Sequence, residues 1–205
     1  MEIHTDKVAF PAQVPTPLYE AKLIGTAENK GEQFDIFLGL DKSMVEKLKK
    51  LSLDPNDPEL DANTSDRKRF GEGSYEEWYA KKRVPFALVH KTTGQLAALT
   101  WFGPKPLGRK SLKYLSKEDQ EKESAQTEDT WHLISYRSYP PFRGTGIMKD
   151  FLRTTMETYL HYFPNARLWA GSSRSNPASI ALSERLGLTI DESASDPEWV
   201  AMVKK

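Results

Sequence analysis

The residues with the clearest chemical meaning form a glycine-containing turn, 142–148, between a strand-like run and a helix-like run. Gly144 and Gly146 remove side chains where the backbone turns, so consecutive N–H groups at the start of the helix can point at an anion. The helix dipole would add a field that favours negative charge. The turn therefore predicts a cradle for a phosphate or pyrophosphate, although glycine pairs before helices are also common in ordinary turns.

The segments on either side of this turn have the periodicity that such a cradle needs. Residues 129–138 combine aromatic and β-branched residues in a short run, which predicts a strand. After the turn, apolar residues recur at the three-and-four spacing of one helical face, and Pro164 closes the run. These apolar positions are Ile147, Phe151, Leu152, Met156, Tyr159, Leu160 and Phe163. We therefore expect an amphipathic helix whose N-terminus lies at the turn.

A second strand and helix follow at 166–170 and 176–188. Ser175 or Asn176 can accept N–H bonds as the N-cap, Pro177 suits the first helical position, and Gly187 suits the left-handed residue that ends a helix. Taken alone, this is an ordinary short capped helix.

In this order and at this separation, the two segments resemble the GNAT superfamily of N-acetyltransferases, which use acetyl-CoA. In the family's first motif, an Arg or Gln is followed at fixed spacing by Gly and by Gly or Ala. Arg143, Gly146 and Met148 occupy these positions, and Met148 departs from the pattern. The later motif is matched at Asn176, Ser179, Leu186, Gly187 and Leu188.

The resemblance implies an α/β (α+β) fold with one GNAT-like domain over residues 1–205. Its central sheet would be mixed but mostly antiparallel, with about six or seven strands that splay in the middle and about four flanking helices. The best-matched CoA-binding core is 84–203, and 1–17 would be an extended lead-in. Within this frame, 85–102 predicts a hairpin and the Ser74 region a capped helix, whereas 103–128 is either a solvated excursion or a lid.

The resemblance also implies acetyl-CoA as co-substrate and indicates which residues would hold it. Backbone groups of the strand region aligned with Ser138 would pair with the pantetheine arm, and Asn176 would contact that arm or the helix start as well as capping its helix. The pyrophosphate would lie on Arg143, Gly144, Thr145, Gly146, Ile147 and Met148.

Transfer of an acetyl group to an amine needs a base for the amine and an acid for the leaving thiolate. His132 is the first candidate base, because histidine titrates near neutrality, although a lone strand histidine can also be structural. Glu128 and Asp129, at the start of the strand, are carboxylate alternatives that would act through a water chain or only solvate the end of the loop. Ser183 stands where many GNAT members have a tyrosine that is thought to protonate the thiolate, and because a serine is a poor proton donor, Tyr136 or water is the alternative.

Composition excludes several other classes of function. Basic and acidic residues both number 29, so no net field favours nucleic acid, and the absence of cysteine excludes an acyl-cysteine intermediate and thiolate metal sites. No histidine pair has ligand spacing, and the prolines in 54–58 make it a solvated turn rather than a calcium loop. The basic run Arg67, Lys68 and Arg69 precedes the Ser74 helix, where proteins of the resembling family bind acceptors, but the run favours solvated surface. Without a signal pattern or a long apolar run, we expect a cytoplasmic protein with no membrane partner.

The sequence thus predicts an acetyl-CoA-dependent N-acetyltransferase with no bound metal. Its acceptor would be a primary amine of a small molecule or peptide, acetylated by direct transfer, and a homodimer stays open. The alternative is a non-catalytic module that binds acyl-CoA without turnover, which the serine at position 183 and the methionine at position 148 keep open.

Overall fold

A single sheet of nine strands organises the computed structural model, which describes residues 1–5, 11–109 and 130–204. The strand order across the sheet is β1-β2-β3-β4-β5-β6-β7-β9-β8. The strands are β1 (Glu2–His4), β2 (Lys22–Asn29), β3 (Glu32–Leu38), β4 (Val84–His90), β5 (Leu96–Pro104), β6 (Trp131–Ser138), β7 (Arg167–Ser173), β8 (Leu188–Asp191) and β9 (Trp199–Lys204). The helices are α1 (Lys42–Ser52), α2 (Pro58–Asn63), α3 (Tyr75–Tyr79), α4 (Ile147–Tyr162) and α5 (Pro177–Arg185). A π-helical turn (Arg67–Gly71) and a 3-10 turn (Glu192–Ala194) complete the described elements.

Every neighbouring pair of strands is antiparallel except β6 and β7, which are parallel. This confirms the predicted single α/β domain with a mixed, mostly antiparallel sheet. The prediction of six or seven strands was too low, in part because the lead-in 1–17 contributes β1, which pairs with β2. A strand of three residues is too short to show a two-residue periodicity in the sequence.

The turn between β2 and β3 is a tight one. Residues 25–29 belong to β2, and the turn is confined to Lys30 and Gly31, with φ of 53° and 82°. Two positive φ values are what a two-residue turn needs to match the right-handed twist of a hairpin. Gly31 therefore provides one of the two positive φ values at the tip of the hairpin.

The sheet is covered on both faces. One core cluster packs α4 and α5 against the sheet and includes Phe151, Leu152 and Met156, all buried. The second packs α1, α3 and the π-helical turn against the other face, around Trp78 and Trp101. A smaller third cluster contains Trp169 and Trp199. No helix in the described ranges is long and apolar enough to span a membrane.

The helix ends follow from local sequence. The Asn176 side chain accepts from the N–H of Ser179, and Pro177 occupies the first position of α5, as predicted. The side chain of Ser74 accepts from Glu77 N–H at the start of α3, which confirms that cap as well. α4 begins differently, because its N-cap is Gly146 in the left-handed region and makes no side-chain cap bond.

Candidate functional site

The two parallel strands, β6 and β7, part at the centre of the sheet. They are paired from Trp131 with Arg167 up to Ile134 with Ala170, and no further. Beyond this point β6 continues beside β5 as far as Ser138, while β7 continues beside β9. The splayed sheet is thereby confirmed. No strand among the described residues pairs with the edge of β6 that faces β7 over 135–138, so an extended molecule could hydrogen-bond to it as an added strand.

A cavity of about 640 Å³ fills the gap between the two strands. Residues of β6, β7, α2, α5 and the glycine turn line it, and Lys105, Arg109 and Arg69 add positive charge. Among the predicted CoA contacts, five line the cavity, namely Ser138, Arg143, Gly144, Met148 and Asn176. Thr145, Gly146 and Ile147 lie in the same turn outside the lining.

The glycine turn has the open backbone that a phosphate cradle requires. Gly144 and Gly146 have φ of 77° and 92°, and a Cβ added at either would meet nothing within 4 Å. Because no side chain caps α4, the N–H groups of its first turn have no partner from a capping residue. Ile147 is buried in the core and Thr145 Oγ1 donates to the carbonyl of Phe142, so both fix the shape of the turn. These residues fit an anionic phosphate held by backbone donors.

Arg143, the predicted side-chain contact to the pyrophosphate, turns its guanidinium towards α2. Its Nη1 and Nη2 donate to the two carboxylate oxygens of Asp57 at 2.6 Å each, and Nη1 lies 3.2 Å from Glu59 Oε2. These bonds lower the pKa of Asp57 and raise the pKa of Arg143, because each charge stabilises the other. Asp57 is buried, so the prediction that 54–58 is a solvated turn was wrong for this residue.

Asn176, on the opposite side of the gap, also contacts α2. Its Nδ2 donates to Oδ1 of Asn63 at 3.1 Å, while its own Oδ1 caps α5. α2 therefore joins both sides of the gap, through Asp57 and Arg143 at one end and through Asn63 and Asn176 at the other. This bridge could not be predicted from the sequence, because the partners lie more than eighty residues apart.

Ser183, the residue at the position of the family's tyrosine, is buried behind the cavity. It lies within hydrogen-bonding distance, 3.2 Å, of the hydroxyl of Tyr136, which lines the cavity. The same hydroxyl is 2.6 Å from Ser179 Oγ. Burial raises the pKa of Tyr136, and the hydrogen bonds to Ser179 and Ser183 oppose part of that shift. The phenol is therefore protonated at neutral pH and sits beside the position where the motif places a donor.

His132 lies on the α4 side of β6 and does not line the cavity. Its Nδ1 is 2.5 Å from the hydroxyl of Tyr159, and its ring packs against Phe163. Asp129, the carboxylate alternative, lies outside the described residues, as do Glu128 and most of the predicted excursion 103–128. The structure thus brings Ser183 close to the cavity, but it does not bring His132 to the cavity wall.

A cationic cluster that the sequence did not single out lies on the other side of β6. Asp66, fully buried, accepts from Arg137 at 2.7 and 3.2 Å and from Arg69 at 2.5 Å. Both arginines line the cavity. Sequence analysis placed Arg69 in a solvated basic run, and no local signal could show that Asp66 and Arg137, 71 positions apart, would meet.

Metal ligands do not converge in the described part of the chain. No group of three or more histidine, aspartate or glutamate residues there could hold a metal ion.

Comparison with known proteins gives matches in structure only. No family model matches the chain, and no curated protein matches it significantly. A ribosomal-protein-S5-alanine acetyltransferase from Vibrio fischeri superposes with a TM-score of 0.59 and 13% identity over 88% of this chain and 95% of its own. An acetyltransferase from Agrobacterium tumefaciens gives a TM-score of 0.57 and 15% identity over 88% of this chain and 94% of its own. The ribosomal L7/L12 α-N-protein acetyltransferase RimL, in complex with coenzyme A, gives a TM-score of 0.53 and 18% identity over 82% of this chain and 92% of its own.

The GNAT domain of a Streptomyces lividans protein is among the similar structures, with a TM-score of 0.55 and 12% identity over 85% of this chain and 92% of its own. The chain therefore has the fold of the GNAT acetyltransferases, as the sequence predicts.

Proposed function

We propose that this protein is an N-acyltransferase that uses acetyl-CoA and acetylates a primary amine of a small molecule or peptide. One observation carries the proposal: β6 and β7 part after Ile134 and Ala170, directly in front of a glycine turn that opens α4 without a side-chain cap. An open strand edge and an uncapped helix start suit, respectively, the amide-containing pantetheine arm and the pyrophosphate of coenzyme A. The coenzyme A bound in RimL supports this choice of donor.

Each part of the site would bind one part of the donor. The backbone N–H groups of Gly144 and Gly146 and of the first turn of α4 would hold the pyrophosphate. The open edge of β6 from Ser135 to Ser138 would pair with the pantetheine arm, which extends the sheet by one strand. In this arrangement the thioester would lie towards Ile134, where the two strands meet.

Bound there, acetyl-CoA supplies an activated acyl group, and the protein orients it for attack by the amine. A backbone N–H on the same edge of β6 would stabilise the oxyanion. We assign Tyr136 the role of acid towards the departing thiolate, because its hydroxyl lines the cavity 3.2 Å from Ser183 Oγ and is protonated. Ser183 would hold that hydroxyl in place.

For the base we propose Asp129, the carboxylate predicted at the start of β6. His132 contacts Tyr159 rather than the cavity, so we propose that it positions the strand. Among the described residues that line the cavity, Glu59 is the only carboxylate, and its side chain pairs with Arg143.

The same lining gives some support to the second candidate, a module that binds acyl-CoA without turnover, because no histidine lines the described cavity. Release of free thiol from acetyl-CoA, measured across a panel of primary amines, separates the two. An enzyme gives release that depends on an amine. Tight binding of acetyl-CoA by calorimetry with no release on any amine would favour the module.

A further inference from the structure

Two guanidinium groups share one carboxylate beside the cavity. Nε and Nη2 of Arg137 donate to the two oxygens of Asp66, and Nη1 of Arg69 donates to one of them. Both cations also lie over the ring of Trp101, with guanidinium carbons 4.9 Å and 5.3 Å from its centre. The cluster is therefore held rigidly from two sides.

The charges in this cluster do not balance. Asp66 is completely buried, the side chains of Arg69 and Arg137 are 19% and 17% exposed, and together they leave one positive charge. Burial lowers the pKa of Arg69, the carboxylate of Asp66 opposes this shift, and repulsion from Arg137 adds to it. A partly buried excess charge is costly unless an anion joins it. By contrast, Arg143 is fully matched by Asp57 and Glu59.

The guanidinium groups also have donors to spare. Among the described residues, Arg69 gives a single hydrogen bond, to Asp66, although a guanidinium carries five N–H groups. Arg137 gives three, two to Asp66 and one to the carbonyl of Tyr136. Since both side chains line the cavity, the unused N–H groups can meet a ligand inside it.

The position of the cluster separates it from the proposed CoA site. Tyr136 reaches α5 on one face of the sheet, and its neighbour Arg137 reaches Trp101 in the core on the other face. Side chains on one strand alternate in this way. A molecule that enters from the side of the π-helical turn would therefore meet the arginines, while the glycine turn lies at the start of α4. Planar guanidinium pairs suit a carboxylate, which accepts two parallel hydrogen bonds.

We propose that Arg69 and Arg137 bind a carboxylate group of the acceptor, so that the substrate is an amine that also carries a carboxylate. This inference rests on the proposed acyltransferase function and narrows its substrate class. The carboxylate could belong to a free amino acid or to a peptide with an acidic group near its amine. Trp169 and Trp199, which also line the cavity, would contact the apolar part between the two groups.

The test compares amines that differ only in this charge. Glycine, β-alanine, γ-aminobutyrate and ε-aminocaproate are each assayed for thiol release beside their carboxamides, and the C-terminally amidated dipeptides Ala-Asp-NH2 and Ala-Asn-NH2 form the peptide pair. We expect at least one carboxylate to be preferred over its amide by about tenfold or more in kcat/KM. The pairs that show the preference distinguish a free amino acid from a peptide.

Arg69→Gln is the matched variant, because it removes one charge and leaves the bidentate pair of Asp66 and Arg137 in place. We expect this preference to fall by about tenfold, mainly through KM, with the carboxamides unaffected. Arg67→Gln is the control, since Arg67 belongs to the same turn but pairs with Asp61 and does not line the cavity. It should keep the wild-type preference.

Equal rates for carboxylates and amides, or an equal loss for both in Arg69→Gln, would overturn the inference while leaving the acyltransferase proposal standing. A stronger preference for phosphoethanolamine than for every carboxylate would also overturn it. If no amine releases thiol, the acyltransferase proposal fails, and the same pairs measured by calorimetry with CoA present decide the carboxylate site alone. If a carboxylate binds more tightly than its amide and Arg69→Gln weakens that binding, the carboxylate site is supported. If a carboxylate and its amide bind equally, the proposed carboxylate site is wrong.

Discussion

The guanidinium of Arg143 and the carboxylate of Asp57 form a two-point contact, with two nitrogen–oxygen distances of 2.6 Å. Asp57 also caps α2 by accepting from the N–H of Leu60 at 3.1 Å. At its other end, α2 contacts Asn176 through Asn63. One short helix thus engages the side chains of two residues that the resemblance to the GNAT superfamily assigns to coenzyme A.

The pairing of Asp57 with Arg143 should make stability depend on pH. Asp57 has a lowered pKa in the folded protein, so its contribution is fully present above the unfolded value of about 3.9 and is lost as pH falls through the folded value. Asp57→Asn keeps an N-cap but removes the charge, and should lower the free energy of unfolding by about 1–3 kcal/mol at pH 7. Urea unfolding between pH 7 and 3 measures how this difference shrinks with acidity.

Glu59→Gln is the control for that series. Glu59 contacts the same guanidinium at 3.2 Å, but its side chain is 65% exposed, so its loss should cost less than about 0.5 kcal/mol. A wild-type advantage over Asp57→Asn that stays constant from pH 7 to pH 3 would argue against a charged pair.

Asp57→Asn should also bind coenzyme A more tightly than the wild type. Asp57 occupies the guanidinium that we expect to approach the pyrophosphate, so Asp57→Asn should free it and lower the Kd severalfold. Calorimetric titration with coenzyme A measures the effect, and titration with pantetheine, which has no phosphate groups, is the comparison. An unchanged Kd would show that Arg143 only anchors α2 and that the backbone N–H groups alone hold the phosphates.

Tyr136→Phe should slow acyl transfer without weakening donor binding. The substitution keeps the ring but removes the hydroxyl that lies 3.2 Å from Ser183 and 2.6 Å from Ser179. Loss of a general acid is expected to lower kcat by about 100-fold, with the Kd for coenzyme A unchanged. Ser183→Ala should have a smaller effect, because it removes only the residue that positions the phenol. Equal kcat values in Tyr136→Phe and the wild type would remove Tyr136 from the mechanism.

His132→Gln should affect stability rather than the pH dependence of the rate. The ring contacts Tyr159 and Phe163 on the α4 side, so its loss should cost about 1 kcal/mol and lower Tm. His161→Gln, at an exposed position of α4, is the control and should leave Tm unchanged.

The pH–rate profile of kcat/KM for His132→Gln is expected to match that of the wild type, whereas Asp129→Asn should lower kcat across the range. A profile that loses its acidic limb only in His132→Gln would restore the histidine as the base.

Features written in neighbouring residues could be predicted from the sequence. The apolar spacing after Gly146 predicted a helix to Phe163, and α4 ends at Tyr162. Pro177 after Asn176 predicted a cap that the structure contains. Such signals act over a few residues, so one chain displays them completely.

Features that depend on distant partners could not be predicted. Asp57 looked like a solvated turn residue, because its partner Arg143 lies 86 positions away. Arg69 looked like surface, because its neighbour Asp66 is held in the core by Arg137, which lies 71 positions away. Their burial follows from how the sheet brings β6 towards α2 and the π-helical turn. The face on which His132 lies was equally undetermined, since the strand could have presented it to either side.

Binding of coenzyme A at the glycine turn is tested most directly by Gly146→Trp. A Cβ at Gly146 would meet nothing within 4 Å, so the added indole would occupy the space proposed for the pyrophosphate. Gly31→Trp is the matched control, because Gly31 has a similar φ of 82° and equally open surroundings at the tip of the β2–β3 hairpin.

Calorimetric titration of the wild type and both folded variants with coenzyme A gives the decisive comparison, with Tm reporting the strain common to the two substitutions. We predict that Gly146→Trp raises the Kd for coenzyme A by about 100-fold or more, because a few charge-assisted hydrogen bonds to the pyrophosphate are lost. Gly31→Trp should have the wild-type Kd. Equal affinity in all three proteins would contradict the placement of coenzyme A on this turn.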